Sequence, residues 1–345
     1  MKLFYAFLVL FSLNSRLLGQ TPVSKINEVQ FFSEQSTMQV TITLDLRRLM
    51  ANKLKEGYQF PASFLAKLDD STEVREPVML EVRGNFRKNY CYMPPLKVNF
   101  KSTAAPVLSP LGSLKLVNVC EVDRRDNTEY LLKEYLVYKL YNLITDKSLR
   151  ARLLRIRFVD SPGKKKTITE YGFLLEDVKD MAKRNECVER KRNVKHTEET
   201  DRQQMTRVAM FEYMIGNSDW SVPVRHNIKL IVPKTDTNAV SYAVPYDFDH
   251  SGLVKTDYAL PPPQLAIKDV TERSYRGFPR TMEELQAVAD EFLQQKEKMY
   301  QLIRRFDLLP SVTREEIISF LNGFFSTIAK QSDLKFEFIQ NARKN

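Results

Sequence analysis

Acidic and amide side chains cluster around two short apolar runs in this 345-residue chain. Four such side chains flank the runs at 228–233 and 240–244: Asp219, Asn227, Asp247 and Asp249. Two apolar runs joined by a polar turn predict a β-hairpin, which returns the chain to its starting point. We therefore expect these four side chains to lie close together, where their oxygens suit a hard divalent cation such as Mg²⁺ or Mn²⁺.

The order of these residues is that of a phosphoryl-transfer site. In protein kinases, an Asp that orients the acceptor hydroxyl is followed by an Asn and then by an Asp-Phe pair, and the last two groups hold Mg²⁺. Here Asp219, Asn227 and Asp247 follow in that order. Because Asn227 lies further from Asp219 than in protein kinases, the inserted residues 220–224 either loop out or displace Asn227 from the metal.

Three segments upstream place charged residues beside apolar runs: Val-Arg-Gly-Asn at 82–85, Pro-Leu-Lys-Val-Asn-Phe at 95–100 and Tyr-Gly-Phe-Leu-Leu-Glu-Asp-Val at 171–178. Three more follow them: Gly-Asn-Ser-Asp at 216–219, Arg-His-Asn at 225–227 and Pro-Tyr-Asp-Phe-Asp at 245–249. Taken in this order, they resemble the motifs of the CotH family, the spore-coat-type atypical kinases. The resemblance covers roughly residues 60 to 255.

The resemblance implies an α+β, two-lobed protein-kinase-like fold. A β-rich N-terminal lobe and a mostly helical C-terminal lobe would meet at a cleft. The implied division of the chain has four parts: a signal peptide (1–19), an N-terminal β segment (20–60), an N-lobe with the phosphate loop, the Lys strand and a helix (61–180), and a helical C-lobe with the catalytic and metal loops (181–345).

The resemblance also implies roles for individual residues, with ATP as phosphoryl donor and Mg²⁺ or Mn²⁺ as the cation. Three residues would be catalytic: Asp219, Lys97 and Glu134. Five would bind the nucleotide, the last of them beside the nucleobase: Arg83, Gly84, Asn85, Lys97 and Glu176. Three would hold the metal: Asn227, Asp247 and Asp249.

These roles predict ATP- and Mg²⁺-dependent phosphoryl transfer to a hydroxyl, of a protein Ser or Thr, on an exported substrate. Two other classes of function stay open. One is a catalytically inactive, kinase-like exported protein that serves in binding or assembly. The other is a metal-dependent phosphodiesterase that uses the same Asp cluster.

Several stretches predict the elements that must position these residues. Alternation at 38–46 and apolar runs at 60–67, 78–82 and 96–100 predict strands, and the runs at 153–159 and 168–175 predict a hairpin. Apolar residues at helical spacing predict helices at 126–144 and 200–215. Capping-box patterns at Thr281 and Thr313 predict the starts of two final helices.

Glu134 lies between two apolar flanks of the helix predicted at 126–144. A partly buried Glu needs a cation, and Lys97 is the one that the kinase mechanism supplies. The alternative is an exposed Glu134 with only local neighbours, in which case Glu129 would be the partner of Lys97.

The N-terminal segment predicts export. A basic start at Lys2 and an apolar run at 3–11 have the layout of a secretory signal peptide, and the run is too short to span a bilayer. Because no later run approaches that length, we expect a periplasmic or extracellular protein with no stable membrane span. The formal net charge of +10 favours anionic partners such as a nucleotide. Nucleic acid is not predicted, since no zinc-finger spacing or aromatic RNA-binding motif is found.

Three cysteines and one basic stretch leave alternatives open. Cys91 and Cys120 are the better placed pair for a disulfide, but buried free thiols are equally compatible with the sequence, and Cys187 is the third cysteine. The basic stretch at 183–196 is either a solvated surface or a docking site for an acidic substrate. The sequence does not predict the acceptor or the oligomeric state.

Overall fold

The computed structural model describes residues 25–68, 72–84, 87–101, 107–121 and 125–343. The predicted signal peptide (1–19) and Asn85 of the predicted phosphate loop lie outside these described residues.

Seven strands form a closed barrel. In chain order they are β1 (Met38–Leu44), β2 (Gln59–Lys67), β3 (Glu73–Val82), β4 (Leu96–Asn99), β5 (Ser113–Asn118), β6 (Ala151–Asp160) and β7 (Ile168–Leu175). Neighbours follow the order β1-β2-β3-β4-β5-β7-β6 and are antiparallel, except that β1 and β6 close the barrel in parallel.

The predicted two-lobed protein-kinase-like fold is therefore wrong. The closure of the barrel overturns it, because β1 pairs with β6 over its whole length, with Ile42 opposite Phe158. The N-terminal β segment predicted at 20–60 thus supplies a barrel strand. Local periodicity correctly predicts that 38–44 is a strand, but it carries no information on a partner more than a hundred residues away.

Alternation along the strands fills the barrel with apolar side chains. In β1, Val40, Ile42 and Leu44 point inward and are buried, while Gln39 points outward. This inner core is one continuous cluster, and it is separate from the larger core that the helices form. The barrel interior therefore cannot hold a ligand, and any binding site must lie on its outer face or rim.

Nine helices and a second sheet accompany the barrel in the described part of the chain. The helices are α1 (Glu28–Ser33), α2 (Leu46–Asn52), α3 (Arg87–Tyr90), α4 (Arg125–Asn142), α5 (Val178–Arg184), α6 (Arg202–Ile215), α7 (Met282–Arg304), α8 (Ser311–Ile328) and α9 (Gln331–Lys335). The sheet has the order β10-β9-β8, with β8 (Cys187–Glu189), β9 (Ile228–Pro233) and β10 (Tyr242–Pro245). Helix α4 packs on the outer face of β6 and β7 and joins the barrel to the helical core.

The predicted helix starts have different outcomes. The capping box at Thr281 is confirmed, since its hydroxyl accepts from Glu284 N and the Glu284 carboxylate accepts from Thr281 N. The one predicted at Thr313 is wrong, because α8 already begins at Ser311, directly after Pro310. Pro310 is the N-cap residue, with φ −53° and ψ 149° and no capping hydrogen bond from a side chain, so the helix starts before the capping-box pattern.

Cys91 and Cys120 form a disulfide, which ties the segment after α3 to the end of β5, while Cys187 is free and buried.

None of the helices in the described part of the chain has the length and apolar character that a membrane-spanning helix needs.

Candidate active site

The predicted hairpin is confirmed and brings the two ends of its strands together. β9 and β10 are antiparallel, with Ile228 opposite Pro245. One residue beyond this pair, Tyr246 N donates to Asn227 O over 3.0 Å. Asn227 and Asp247 therefore lie at the same end of the hairpin, as the sequence predicts.

The insertion at 220–224 loops out and leaves Asn227 beside Asp219. Ser221 and His226 close the loop through two backbone hydrogen bonds of 2.9 Å each. Asn227 Nδ2 then donates to the carbonyl oxygen of Asp219 over 2.8 Å and to its Oδ2 over 3.0 Å. Asn227 has a left-handed backbone (φ 52°), a conformation that Asn tolerates better than most residues. Because Nδ2 faces Asp219, the amide oxygen remains available for a cation.

Asp219 is held from several directions. His226 Nε2 lies 2.7 Å from Asp219 Oδ1. The backbone N–H of Asp219 donates to Asn217 Oδ1 over 3.0 Å. Asn217 is held in turn by Glu212, whose Oε2 accepts from Asn217 Nδ2 over 2.9 Å. Burial raises the pKa of Glu212 to about 8. Each carboxylate oxygen can accept more than one hydrogen bond, so Asp219 retains capacity for a substrate hydroxyl.

Asp247 and Asp249 lie in different surroundings. Asp247 is half-buried with a left-handed backbone (φ 67°), and its N–H donates to the Tyr138 hydroxyl over 2.9 Å. Asp249 is buried, and its Oδ2 accepts from the Tyr258 hydroxyl over 2.8 Å. Burial raises the pKa of Asp249, and the neighbouring charge of Asp247 raises it further. Asp247 is thus the more available of the two for a ligand.

The predicted metal set fits a cation only with help from other oxygens. Within the described residues, no three or more His, Cys, Asp or Glu side chains are grouped so as to hold a metal ion. Asn227 and Asp247 supply one amide oxygen and one carboxylate at the end of the hairpin. Mg²⁺ commonly binds through one or two protein oxygens together with phosphate oxygens and water, so this pair suits Mg²⁺ carried by a nucleotide.

The predicted ion pair between Lys97 and Glu134 does not form within the described residues. Glu134 is buried, which agrees with the first of the two alternatives that the sequence left open. The cations near it, however, are Arg87 and Arg83. Burial raises the pKa of Glu134 well above its usual value, with Asp249 and Asp247 adding to the effect. The alternative partner Glu129 accepts instead from the Thr313 hydroxyl over 3.0 Å.

Lys115 on β5 lies near Asp247, whereas Lys97, the predicted nucleotide-binding lysine, lies opposite it on β4. The two lysines are direct cross-strand neighbours and point to the same face. In the barrel order, however, β5 lies beside β7, on which α4 packs, while β4 lies one strand further away. The local sequences are nearly the same, Leu-Lys-Val at 96–98 and Leu-Lys-Leu at 114–116, so this pattern could have suggested both lysines but could not choose between them.

Lys115 faces a cavity of about 210 Å³ at the rim of the barrel. Its Nζ lies 4.5 Å from the centre of the Tyr246 ring and makes no ion pair with any described residue. Lys229 and Glu176 also line this cavity. Burial lowers the pKa of Lys115 to about 8, and the nearby charge of Arg83 contributes to this shift. Asp177 and Glu189 also line the cavity, so an anionic ligand there would have Lys115 as the cation that makes no ion pair in the described part of the chain.

Of the other predicted nucleotide residues, Glu176 lines this cavity and Arg83 lies close to Lys115, and the side chains of both have structural partners. Arg83 Nε donates to Leu96 O over 3.2 Å, and the nearby carboxylate of Asp247 favours the charged form of the Arg83 guanidinium. Gly84 has a left-handed backbone (φ 79°), as a tight turn requires. Both oxygens of Glu176 accept from Arg184, over 2.9 and 3.0 Å. The Glu176 carboxylate therefore fastens α5 to the end of β7 and is not free to bind a ligand.

The basic stretch runs beside the Asp219 loop. One Nη atom of Arg225 donates to the carbonyl oxygens of Arg190 and Arg192, over 2.7 and 2.6 Å. The side chains of Lys191 and Lys195 are exposed. This arrangement holds a positively charged surface near Asp219 and is compatible with either alternative, a solvated surface or an acidic docking site.

Comparisons with known proteins do not identify a family. No protein-family model matches the chain. No curated protein matches it either. The resemblance to the CotH family therefore stays a prediction.

Proposed function

We propose that this protein catalyses ATP- and Mg²⁺-dependent phosphoryl transfer to a hydroxyl group on an exported substrate, most simply a protein Ser or Thr. Because one fold can serve many activities, the proposal rests on the site and not on the barrel. The observation that carries it is the convergence of Asp219, Asn227 and Asp247 at one end of the hairpin, with the unpaired Lys115 beside them.

Each residue has one task in the proposed reaction. Lys115 and Arg83 neutralise phosphate oxygens of the nucleotide, since both cations lie near Asp247. Asp219 orients the acceptor hydroxyl and takes its proton as the oxygen attacks the γ-phosphorus. A bond forms between the acceptor oxygen and phosphorus while the bond to the β–γ bridging oxygen breaks, which leaves ADP and a phosphomonoester.

Asn227 and Asp247 would hold Mg²⁺, which neutralises charge on the phosphates when it is bound. Asn227 contributes its amide oxygen and Asp247 its carboxylate. Asp249 is joined to the Tyr258 hydroxyl and lies behind Asp247, so its part is to support Asp247 rather than to bind the cation directly. The sequence grouped Asp249 with the metal residues, either as a support for the ligands or as a ligand of a second metal, and the first of these alternatives is the one proposed here.

The two cross-strand lysines offer a matched test of nucleotide binding. In the parent protein, ATP with Mg²⁺ at about a hundred times its dissociation constant should stabilise the fold by about 2.7 kcal/mol and raise the melting temperature by a few degrees. Lys115→Met should abolish this shift, because it removes the unpaired cation that faces the cavity. Lys97→Met on the neighbouring strand should keep it. Absence of any nucleotide-dependent shift in the parent would refute the proposed function.

A second function, a catalytically inactive exported protein for binding or assembly, is favoured by one observation. Both carboxylate oxygens of Asp219 already have protein partners, His226 at 2.7 Å and Asn227 at 3.0 Å. A protein that binds ATP with the Lys115 dependence above but transfers no phosphate would support this second function.

A further inference from the structure

A small cavity of about 20 Å³ lies beside Asp249, apart from the larger cavity at Lys115. Four segments meet around it: α3, the end of β5, the first turns of α4 and the stretch that follows β10. Eight polar residues from these segments line it: Arg87, Asn118, Asn127, Tyr130, Glu134, Asp249, Thr256 and Tyr258.

Four buried polar atoms of these residues have no hydrogen-bond partner among the described residues. They are Arg87 Nε, Asn127 Nδ2, Asn118 Oδ1 and Glu134 Oε1. The three side chains of Asn118, Asn127 and Glu134 are 0%, 6% and 3% exposed, so bulk water cannot reach them. An unpaired buried polar atom is costly, and four at one cavity indicate a shared partner.

Other polar groups at the cavity already have partners, which fixes the orientation of the four unpaired atoms. Asn118 Nδ2 donates to Met93 O over 3.4 Å and to Val119 O over 3.2 Å, so the amide oxygen is the atom left over. Arg87 Nη2 donates to Asn118 O over 2.7 Å, which leaves Nε. Asp249 Oδ2 accepts from the Tyr258 hydroxyl.

The number of donors and acceptors defines the ligand. Two of the unpaired atoms carry N–H donors, on Arg87 and Asn127, and two are acceptors, on Asn118 and Glu134. A metal cation would face the two donors, and an anion would face the two acceptor oxygens. A water molecule has two lone pairs and two hydrogens, and a cavity of about 20 Å³ holds one water.

We propose that this cavity is a binding site for a single water molecule, which accepts from Arg87 Nε and Asn127 Nδ2 and donates to Asn118 Oδ1 and Glu134 Oε1. The water joins α3 to α4 and connects Arg87 to Glu134. It acts together with the Cys91–Cys120 disulfide, which ties the chain just after α3 to the chain just after β5.

A crystal structure of the full chain, at a resolution that shows ordered water, tests the site directly. The expected result is one density peak within hydrogen-bond distance of all four atoms. Absence of a peak, or a peak surrounded only by oxygen atoms as a metal ion would be, overturns the proposal.

Asn127→Leu gives a second test, in which wet and dry cavities respond with opposite signs. Leucine removes one donor and fills the space, so it displaces the water and leaves the other three polar atoms unpaired. The melting temperature should fall by a few degrees, although leucine is the better helix former in α4. In a dry cavity the same substitution would add apolar contacts, so an unchanged or raised melting temperature contradicts the water site. Should the variant fail to fold, the crystal structure of the parent decides.

Discussion

At the scale of single residues, Asp219 and Lys115 divide the proposed chemistry between acceptor and nucleotide. Asp219 lies with Asn227 and His226 on one side of the hairpin end, whereas Lys115 faces the cavity at the barrel rim. Substitutions at the two positions should therefore affect different steps. Loss of Lys115 should weaken nucleotide binding, and loss of the Asp219 charge should slow the transfer itself.

Asp219→Asn should bind ATP about as well as the parent and transfer phosphate at least ~100-fold more slowly, because positioned proton-transfer groups contribute about 10²–10⁴-fold. The amide keeps the shape of the side chain but cannot take the hydroxyl proton. Autophosphorylation with labelled ATP measures the rate, and Mg²⁺·ATP thermal shifts measure binding. Equal transfer rates in parent and variant, both clearly above background, would show that Asp219 is not the base.

At the scale of elements, the pairing of β5 with β7 depends on a close approach at an inward-facing position of the barrel. Gly172 on β7 lies opposite Asn118 of β5, and a Cβ built on it would lie 2.9 Å from Val117 O and 2.6 Å from Ile156 Cδ1. The backbone oxygen cannot move without breaking strand pairing. Glycine at 172 thus allows the pairing that holds β5, and with it Lys115, beside the helical core.

Gly172→Ala should destabilise the fold by about 1–3 kcal/mol, as expected for overpacking in a close-packed interior. Chemical denaturation measures the loss. Gly163→Ala is the control: its φ is 69°, but no atom lies within 4 Å of the added Cβ. The control should lower the free energy of unfolding by about 1–2 kcal/mol, which is the cost of alanine in a left-handed backbone and contains no steric part. An unchanged free energy of unfolding in Gly172→Ala would show that β5 and β7 leave room for a methyl group at this position.

At the scale of the whole molecule, Glu170, a buried acid on the inward face of the barrel, makes stability depend on pH. Glu170 on β7 shares its face with Leu174, which belongs to the inner core, and both of its carboxylate oxygens lack partners among the described residues. Burial raises its pKa to about 8, with Arg87 and Arg155 opposing the shift. The folded protein therefore binds this proton more tightly than the unfolded chain does.

The sign follows from the raised pKa. The protonated Glu170 side chain favours the folded state over the unfolded chain. This contribution to stability is fully present below the ordinary Glu pKa and is lost as pH rises through about 8. Glu170→Gln should match the parent near pH 4, where Glu170 is protonated in both states, and should become the more stable protein by pH 9, by a few kcal/mol as an order of magnitude. Melting temperatures across this range measure the difference. A parallel pH dependence in both proteins would show that Glu170 is not the titrating group.

The sequence by itself determined most of the local elements and the order of the candidate site residues. The hairpin at 228–245, the strands and the helix over α4 follow from periodicity, because alternation and helical spacing report which face of a segment is buried. Asp219, Asn227 and Asp247 meet because a hairpin returns the chain to its start. Cys91 and Cys120 were the better placed pair for a disulfide, but the sequence left buried free thiols equally open, and the structure shows the disulfide.

The tertiary structure alone decided how these pieces are joined. The pairing of β1 with β6 closes a barrel in place of the predicted two-lobed fold, and it depends on contacts between residues far apart in sequence. The choice of Lys115 over Lys97 depends on strand order, since both lysines follow a leucine in a short strand. Arg87 faces Glu134 because the chain around α3 folds back onto the end of β5. Local patterns contain none of these long-range pairings, so the sequence predicted that Asp219, Asn227 and Asp247 meet but not which cations lie near them.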